Sequence, residues 1–520
     1  MLLFCIPPAN TFSPGSRYAR PGFRLRLNFF LFPFSFVLVS YLDAINRVST
    51  FSFFLFPFSF FLFPLYLYLV SLMRKTLRIY LYLMKKLTLP GLIFICCLTA
   101  SAQNPICPEG VYFADPSARV FDGTLYLYGS TDESCDYYCS WHHDVLSTAN
   151  MNEWKIYRDV FESLGPNDGV HYNNSLLFAP DCAERDGMYF LYYCQPDPEN
   201  AEGVAVSESP GGPFTCAQPL STGEHNEIDP AVFIDDDGTA YYLWGQFSLK
   251  MAKLKPGMTD IDLSTVKDSL LTEADHFFHE GAYMTKRKGT YYLVYADISR
   301  EDKPTCIGYA TSRNPMGPYD YRGVIIDNEG CNPGNWNNHG SIIEFNNQWY
   351  VFYHRSTHGC KTMRKACAER ISFLDDGSIP EVEMTSQGPG EPLEAKNRTD
   401  ASRACLLHGN VRIMEENPGN EILGSFRNGD AAIFKFIDFN TDVSSVRMRI
   451  KTSKGGRIVL SAGKPWEKRI AEYRTGPGSP EGDWQLIEFP VREIEGIHAL
   501  WIQCYGEEGD LLDIDWFQFY

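Results

Sequence analysis

The sequence predicts an all-β protein: a five-bladed β-propeller followed by a β-sandwich of the jelly-roll kind. Three observations carry this prediction. Short runs rich in Val, Tyr, Phe and Trp alternate with polar turns throughout residues 103–520. Five of the resulting hairpins resemble one another, and their turns lie 64, 51, 51 and 58 residues apart. After a stretch rich in Pro, Gly and Glu at 386–399, further strands follow without that repeat.

The length and charge of the chain limit what it can be. Its 520 residues allow several domains, each with a sizeable core. It carries 46 Lys and Arg against 64 Asp and Glu, a formal net charge of −18. Because a nucleic-acid binder needs a basic face, we expect no nucleic-acid partner. An acidic surface favours neutral or cationic ligands, and neutral sugars fit that charge.

Residues 1–83 differ in composition from the rest of the chain. The octapeptide FFLFPFSF occurs there twice, at 29–36 and at 53–60. The repeat has no helical period, and a proline interrupts each copy. We interpret 1–83 as a non-native or disordered upstream extension; a membrane hairpin is the alternative.

Residues 84–102 have the pattern of a secretory signal peptide. Two lysines follow the methionine, an apolar run covers 87–98, and a small-residue site of the A-x-A kind ends at Ala102. Cleavage near Ala102 predicts a periplasmic or secreted protein, with no membrane contact for the mature chain unless it is lipidated. Cys96 and Cys97 keep the lipoprotein alternative open.

The exported chain keeps 12 of the 15 cysteines. Export permits disulfides, and two local pairs are candidates: Cys135 with Cys139, and Cys360 with Cys367. Most of these cysteines lie in apolar strand-like runs, where a thiol also serves as a small buried hydrophobic group.

The repeated hairpin consists of a polar tight turn followed by an aromatic strand. The five turns are centred on Gly123, Gly187, Gly238, Gly289 and Asn347. Strand repeats of this size are typical of propeller blades. Five copies over residues 103–400 therefore predict five blades, and a β-sandwich with coincidental hairpins is the alternative.

The strand before each turn carries an ionisable residue at nearly constant phase. Asp115, Asp229, Glu280 and His339 lie eight or nine residues before their turns. In the second blade the same phase falls on Ala179, and Asp181 follows two residues later. Because the first strand of a blade lines the central channel, equal phase predicts that three carboxylates and an imidazole converge on the axis.

Converging carboxylates cannot all have the same pKa, because burial and mutual repulsion raise one and leave another ionised. One protonated and one ionised carboxyl group is what glycoside hydrolysis requires. Aromatic side chains suit sugar faces, and four of them lie near the same phase: Phe113, Phe178, Trp244 and Phe278. Core packing is the alternative for each, and we assign Phe113 and Trp244 to substrate binding.

The motifs FADPSARV, FAPD, IDPAVF, HEGAYM and NHGSI resemble glycoside hydrolase family 43 in content, order and spacing. That family is a five-bladed propeller of inverting enzymes. The resemblance implies that Asp115 is the general base, Asp229 the modulator of the acid's pKa, and Glu280 the general acid. No cofactor is required for that chemistry.

The resemblance predicts an exo-glycosidase that removes pentose residues from plant cell-wall polysaccharide, as an α-L-arabinofuranosidase or a β-xylosidase. A β-galactan-directed enzyme of the same family and a non-catalytic glycan-binding propeller are the alternatives. By the same resemblance, Arg355 matches an arginine that contacts substrate in some members, and an exposed arginine in a salt bridge is the alternative. His339 lies in the motif that approaches a structural calcium ion at the propeller axis through water, although calcium prefers oxygen ligands.

Residues 401–520 form the predicted sandwich. Its six expected strands are 432–439, 446–452, 457–463, 484–491, 499–505 and 513–519. RNGDAAIFKFIDF and the terminal DIDWFQF resemble carbohydrate-binding module family 6. Ala431 and Asp513 depart from that family's usual aromatic and amide residues, which leaves Trp466 as the best candidate for stacking on a sugar. The alternative is that the module only braces the propeller.

Overall fold

Four of the five predicted hairpins close through tight two-residue turns, and the third has a longer loop between Ile234 and Ala240. The computed structural model describes residues 103–223, 228–332, 337–478 and 482–520. In four of the five hairpins both turn residues have positive φ, as in Asp122 and Gly123 at 47° and 73°. Turns of this kind match the twist of the flanking strands and favour Asp, Asn and Gly. In these four blades the turns fix the register between the first and second strand.

The five hairpins belong to five antiparallel sheets, so the prediction of a five-bladed propeller is confirmed. The first four sheets have four strands each, the fifth has three, and neighbours in sequence pair in order. The strands are β1 Phe113–Phe121, β2 Thr124–Thr131, β3 His142–Thr148, β4 Lys155–Glu162; β5 Phe178–Arg185, β6 Met188–Cys194, β7 Glu202–Ser207, β8 Thr215–Pro219; β9 Ala231–Ile234, β10 Ala240–Trp244, β11 Lys250–Leu254, β12 Ile261–Lys267; β13 Phe278–Arg287, β14 Thr290–Asp297, β15 Cys306–Ser312, β16 Asp320–Asp327; and β17 Ser341–Phe345, β18 Gln348–Ser356, β19 Arg364–Ile371.

One short helix, α1 Glu273–His276, connects the third blade to the fourth. Thr272 caps it by accepting a hydrogen bond from the backbone N–H of Asp275. The helix ends at Phe277, which has a left-handed φ of 57°. This turn delivers the chain directly into β13, the strand that carries Glu280.

The first and fifth blades are held together by bonds between distant residues. The backbone N–H of Ile106 donates to Ala366 in β19, so the first described residues run along the outer strand of the last blade. A disulfide joins Cys135 to Cys360, with their Cα atoms 5.6 Å apart. The two local pairings expected from the sequence are therefore wrong, and Cys139 and Cys367 are free and buried. The reason is that ring closure brings loops 225 residues apart into contact.

The C-terminal part is a sandwich of two six-stranded sheets. In one sheet the order is β20-β25-β30-β27-β28 with β22 beside β25; in the other it is β23-β24-β31-β26-β29 with β21 beside β31. Its elements are β20 Leu393–Glu394, β21 Thr399–Asp400, a 3-10 turn Ala401–Arg403, β22 Leu406–His408, β23 Arg412–Asn417, β24 Asn420–Phe426, β25 Ala431–Asp438, β26 Ser445–Thr452, β27 Arg457–Ala462, β28 Lys468–Arg474, β29 Gln485–Pro490, β30 Ile497–Tyr505 and β31 Leu512–Phe519.

All six expected strands of the sandwich are present, and they bury one apolar core between the sheets, around residues such as Phe434, Ile450, Leu460 and Phe517. The predicted boundary at 400/401 falls inside the sandwich, because β20 and β21 already pair with its strands. A segment whose composition predicts a linker thus contributes the first strands of the second domain.

A buried ion pair joins the propeller to the sandwich. Lys365 Nζ of β19 lies 2.6 Å from Glu421 Oε2 of β24, and each side chain is only 2% exposed. The backbone N–H of His358 donates to Ile413 nearby. Breaking a buried pair leaves an uncompensated charge. The contact therefore supports a bracing role for the sandwich.

Membrane-spanning helices were sought in the described part of the chain, and none there has the length and apolar character needed to cross a bilayer. The predicted extension 1–83 and signal peptide 84–102 lie outside the described residues.

Candidate active site

The inner strands are kinked where the ionisable residues stand. Asp115, Ala179 and Asp229 each precede a proline and have left-handed φ angles of 53°, 29° and 61°. In β1 and β5 the pairing register with the next strand shifts at that point. Strained backbone of this kind persists only where the surroundings hold it, and it is concentrated at functional sites.

Asp115, Asp229 and Glu280 line one pocket of about 220 Å³. All three are buried, with 5–7% of their surface exposed. His339 lines the same pocket. The remaining lining residues are Tyr138, Cys139, Phe178, Ala179, Ile228, Gln246, Asn337 and Arg364. The structure therefore brings together the four residues that share a strand phase.

Asp115 accepts a hydrogen bond on each carboxylate oxygen. Arg364 Nη1 donates to Oδ1 at 2.9 Å, and Ser130 Oγ donates to Oδ2 at 2.6 Å. The backbone N–H of Ala179 in turn donates to Ser130 Oγ. Burial acts to raise the pKa of Asp115, but Arg364 above all, helped by His339, lowers it to about 2. Asp115 is therefore a carboxylate at neutral pH.

Arg364 is the main residue of the site that the sequence pattern missed. It is buried at the start of β19 and forms a bidentate pair with Asp132, through Nε at 2.8 Å and Nη2 at 2.9 Å. Its guanidinium also lies over the ring of Tyr138, 5.1 Å from the ring centre. The sequence of β19 carries four charged residues among apolar ones, so it gave no signal that singled out Arg364.

Asp229 has the opposite electrostatic setting. Burial raises its pKa well above the usual range, and the charges of Glu280 and Asp115 act in the same direction. Asp115 Oδ1 and Asp229 Oδ2 lie 3.6 Å and 3.9 Å from the same nitrogen, Nδ1 of His339. Two aspartates that approach one imidazole thus have pKa values shifted in opposite directions.

Glu280 is oriented by side-chain amides. Gln246 Nε2 donates to its Oε2 at 2.8 Å, and Asn337 Nδ2 donates to its Oε1 at 3.3 Å. His279 Nε2 lies 3.9 Å from the same Oε2 atom. These contacts hold the carboxyl group at the pocket wall formed by the third, fourth and fifth blades.

A chain of hydrogen bonds links Asp115 to Glu280. The backbone N–H of Asp115 donates to His354 Nδ1 at 3.1 Å, so Nε2 of this histidine carries its proton. Nε2 then donates to Oδ1 of Asn337 at 3.1 Å, and the amide of Asn337 donates to Glu280. Burial lowers the pKa of His354 to about 3, which keeps the ring neutral. Asn337 is thereby fixed with its donor toward Glu280.

His339 is the residue predicted to approach a calcium ion. Burial lowers its pKa, and its Nδ1 faces the two aspartates. Calcium takes six to eight oxygen ligands. Among the described residues, the one group of three His, Cys, Asp or Glu side chains close enough to hold an ion does not include His339. The donors present at His339 do not by themselves fit calcium, and no step below involves an ion.

Three predicted substrate contacts lie outside the pocket. Phe113 and Trp244 are fully buried in the cores between blades. Arg355 is fully buried as well, and its Nη2 donates to the carbonyl of Ser402. Those predictions are wrong for this structure. Successive residues of a strand point to opposite faces, so when His354 faces the site, Arg355 points toward the sandwich.

Among the described residues of the second blade, none supplies a carboxylate to the pocket. Ala179 takes the equivalent position, while Asp181 pairs with Arg119 and accepts the backbone N–H of Val232. Of the four aromatic residues near the phase, Phe178 does line the pocket, and Phe278 is buried in the core. The small side chain of Ala179 leaves room beside Asp115 for a ligand.

The arrangement combines one ionised carboxylate with a second carboxyl group that stays protonated to higher pH. The first can accept a proton from water, and the second belongs to a pair, Asp229 and Glu280, that retains a proton. This is the combination needed to hydrolyse a glycosidic bond by direct attack of water.

Comparisons with known proteins agree with this chemistry. The model of "Glycosyl hydrolases family 43" matches residues 102–379, and that of "Carbohydrate binding module (family 6)" matches residues 408–520. A xylosidase/arabinosidase of Thermoclostridium stercorarium is 33% identical over 78% of this chain and 96% of its own length. An arabinoxylan arabinofuranohydrolase of Bacillus subtilis is 29% identical over 78% of this chain and 90% of its own length.

A similar solved structure is that of a glycoside hydrolase family 43 arabinoxylan arabinofuranohydrolase from Bacillus subtilis in complex with cellotetraose. It is 26% identical to this chain with a TM-score of 0.48, and the alignment covers 81% of this chain and 99% of that one.

Proposed function

The chain belongs to glycosyl hydrolase family 43, and from this we propose that it removes single pentose units from plant cell-wall polysaccharide as an α-L-arabinofuranosidase or a β-xylosidase. The observation that carries the proposal is the convergence of Asp115, Asp229 and Glu280 in one small pocket. Its volume of about 220 Å³ is below the range of roughly 300–1,000 Å³ for drug-sized ligands. A single sugar ring suits that space, which favours exo action.

In the proposed mechanism Asp115 activates water. Its carboxylate is ionised at neutral pH because Arg364 and Ser130 stabilise the charge. The water gives its proton to Asp115 and attacks the anomeric carbon from the face opposite the leaving oxygen. The configuration at that carbon is therefore inverted in a single displacement.

Glu280 protonates the leaving oxygen. Asp229 and Glu280 repel each other when both are ionised, and Asp229 has a raised pKa for that reason and because it is buried. Together the two groups keep one proton at a pH where an isolated carboxyl has lost it. Gln246 and Asn337 hold Glu280 in place as the group that passes this proton to the departing sugar chain.

Product analysis tests the proposal. Purified protein is incubated with arabinoxylan, arabinan and arabinogalactan, and the released sugars are separated and identified. We expect free L-arabinose or D-xylose from the wild type and none from Glu280→Ala. Release of galactose alone, or equal release by the variant, contradicts the proposal.

We also propose that the protein is exported to the periplasm or the medium. The signal-like segment 84–102 supports this, as does the Cys135–Cys360 disulfide, since such bonds persist in oxidising compartments. N-terminal sequencing of the native protein tests the proposal, and a start at Gln103 is expected. A mature chain that still carries residues upstream of 84 contradicts it.

For the sandwich we propose a mainly bracing role. The buried pair of Lys365 and Glu421 supports it, and Ala431, at the position where family members usually carry an aromatic residue, is buried. Trp466 is 78% exposed and is the remaining stacking candidate. Affinity electrophoresis on arabinoxylan with Trp466→Ala tests it; retardation that disappears in this variant contradicts a purely bracing role.

A further inference from the structure

We infer that Phe247, with His279 and Glu273, forms the subsite for the first sugar of the leaving chain; the inference rests on the proposed function. Phe247 is 55% exposed, among the most exposed large apolar side chains of the described residues. It directly follows Gln246, which donates to Glu280 Oε2 at 2.8 Å. An apolar ring is therefore presented to solvent one residue away from a contact of the proposed acid.

The backbone holds Phe247 in this position against its intrinsic preference. Its φ is 63°, a left-handed value that is uncommon for bulky residues. Two hydrogen bonds maintain it: the N–H of Phe247 donates to the carbonyl of His279 at 2.6 Å, and its carbonyl accepts the N–H of Glu273 at 3.3 Å. Strain retained in this way at an active-site rim indicates a positioned side chain.

One face of the Phe247 ring is open to a ligand. The ring meets His279 edge to face, with centroids 5.3 Å apart and planes at 83°. Such a contact covers at most one face of the phenyl ring. The other face, on a side chain that is more than half exposed, can pack against the apolar face of a sugar.

Polar groups suited to sugar hydroxyls lie beside the ring. His279 Nδ1 lies 2.8 Å from Glu273 Oε1, and its Nε2 points toward Glu280 Oε2 at 3.9 Å. The side chain of Glu273 is 36% exposed. Ring, imidazole and carboxylate thus form a continuous surface that begins at the proposed acid.

The chemistry of the reaction determines which part of the substrate lies there. The acid must contact the oxygen that leaves, so the sugar attached to that oxygen lies next to Glu280 and away from Asp115. Another aromatic pair, Tyr137 and Trp141, belongs to the first blade, the blade that carries Asp115. Phe247 is therefore the platform for the leaving xylan chain.

Calorimetric binding in an inactive background tests the inference without turnover. Glu280→Gln is compared with Glu280→Gln/Phe247→Ala, with xylotetraose as the probe for the leaving chain and free L-arabinose or D-xylose as the probe for the inner pocket. We expect the Kd of xylotetraose to rise about tenfold, and the Kd of the monosaccharide to stay unchanged. Phe247→Tyr should restore tetraose binding.

The matched control is Leu374→Ala, since Leu374 is also 55% exposed but lies in the turn that follows the outer strand β19 of the fifth blade. It should change neither Kd. An unchanged Kd for xylotetraose in the Phe247→Ala background overturns the inference, as does an equal loss for both probes, which would place Phe247 in support of the inner pocket. Pentose release by the wild type, measured separately, reports on the proposed function alone.

Discussion

Asp115 and Asp229 occupy equivalent positions in the first and third blades, yet their environments shift their pKa values in opposite directions. Each stands before a proline with a left-handed φ, at 53° and 61°. The pKa of Asp115 is lowered to about 2, whereas that of Asp229 is raised well above its usual range. The two residues have the same type and backbone conformation and nearly the same strand phase, so none of these determines the direction of the pKa shift.

The difference comes from what the neighbouring blades contribute. Burial raises the pKa of Asp115, but the fifth blade brings Arg364 against it, and the guanidinium together with His339, His354 and Ser130 outweighs the effect of burial. The fourth blade brings Glu280 toward Asp229, and a like charge adds to the effect of burial. In this propeller, equivalent strand positions therefore acquire different pKa values from the charged side chains that the neighbouring blade places beside them.

Removal of the Asp115 carboxylate should have the largest effect. Asp115→Asn keeps the shape of the side chain but cannot accept a proton from water. We expect kcat to fall by about 10²–10⁴, the usual contribution of a general base. Steady-state kinetics on an arabinose- or xylose-substituted oligosaccharide measure this, with thermal unfolding as the control for the fold. A variant with more than a tenth of wild-type kcat would falsify the role of Asp115.

Removal of Asp229, the carboxyl group whose pKa is raised, should have a smaller effect with a characteristic pH signature. In Asp229→Asn, the repulsion that keeps a proton on the pair is lost. We therefore expect the basic limb of the kcat/KM profile to move to lower pH, and kcat to fall by about one order of magnitude or more. A basic limb at the wild-type position, with kcat reduced, would show that Asp229 acts only by shape.

A third change weakens the interaction between Asp115 and the cation beside it. Arg364→Lys keeps a positive charge but loses the bidentate geometry toward Asp132. Because Arg364 lowers the pKa of Asp115, the acidic limb should move to higher pH, by up to about one unit. The basic limb should stay in place. A shift of the basic limb alone contradicts the separation of the two sides.

The mildest change is Ser130→Ala, which removes one hydrogen bond to Asp115 and leaves Arg364 in place. The acidic limb should again move upward, but by less than in Arg364→Lys, because the Ser130 hydrogen bond lowers the pKa of Asp115 less than the charge of Arg364 does. The same profile measurement, run beside Arg364→Lys, checks the order of the two shifts. A larger shift in Ser130→Ala than in Arg364→Lys contradicts the dominance of the cation.

The sequence predicts those parts of the site that repeat with the blades. Asp115, Asp229, Glu280 and His339 share a strand phase, and the structure places them in one pocket. Turn chemistry and the repeat interval were sufficient for the number of blades, because each tight turn fixes a local strand pair. Strand pairs that form between neighbouring segments can therefore be predicted from the sequence.

The remaining parts depend on contacts between blades, which sequence spacing does not report. Arg364 reaches Asp115 from 249 positions away. The prediction for Arg355 was wrong because its side chain lies on the opposite face of the strand from that of His354. The prediction for Trp244 was wrong because its side chain packs into a core. Cys135 and Cys360 likewise meet only when the ring closes.

The most direct test of the account follows the anomeric signal of the released pentose by proton NMR in the first minutes of reaction. Water activated by Asp115 and a leaving group protonated by Glu280 predict that the first product has the opposite anomeric configuration to the substrate, before mutarotation mixes the two. A first product with retained configuration requires a covalent intermediate and contradicts the account.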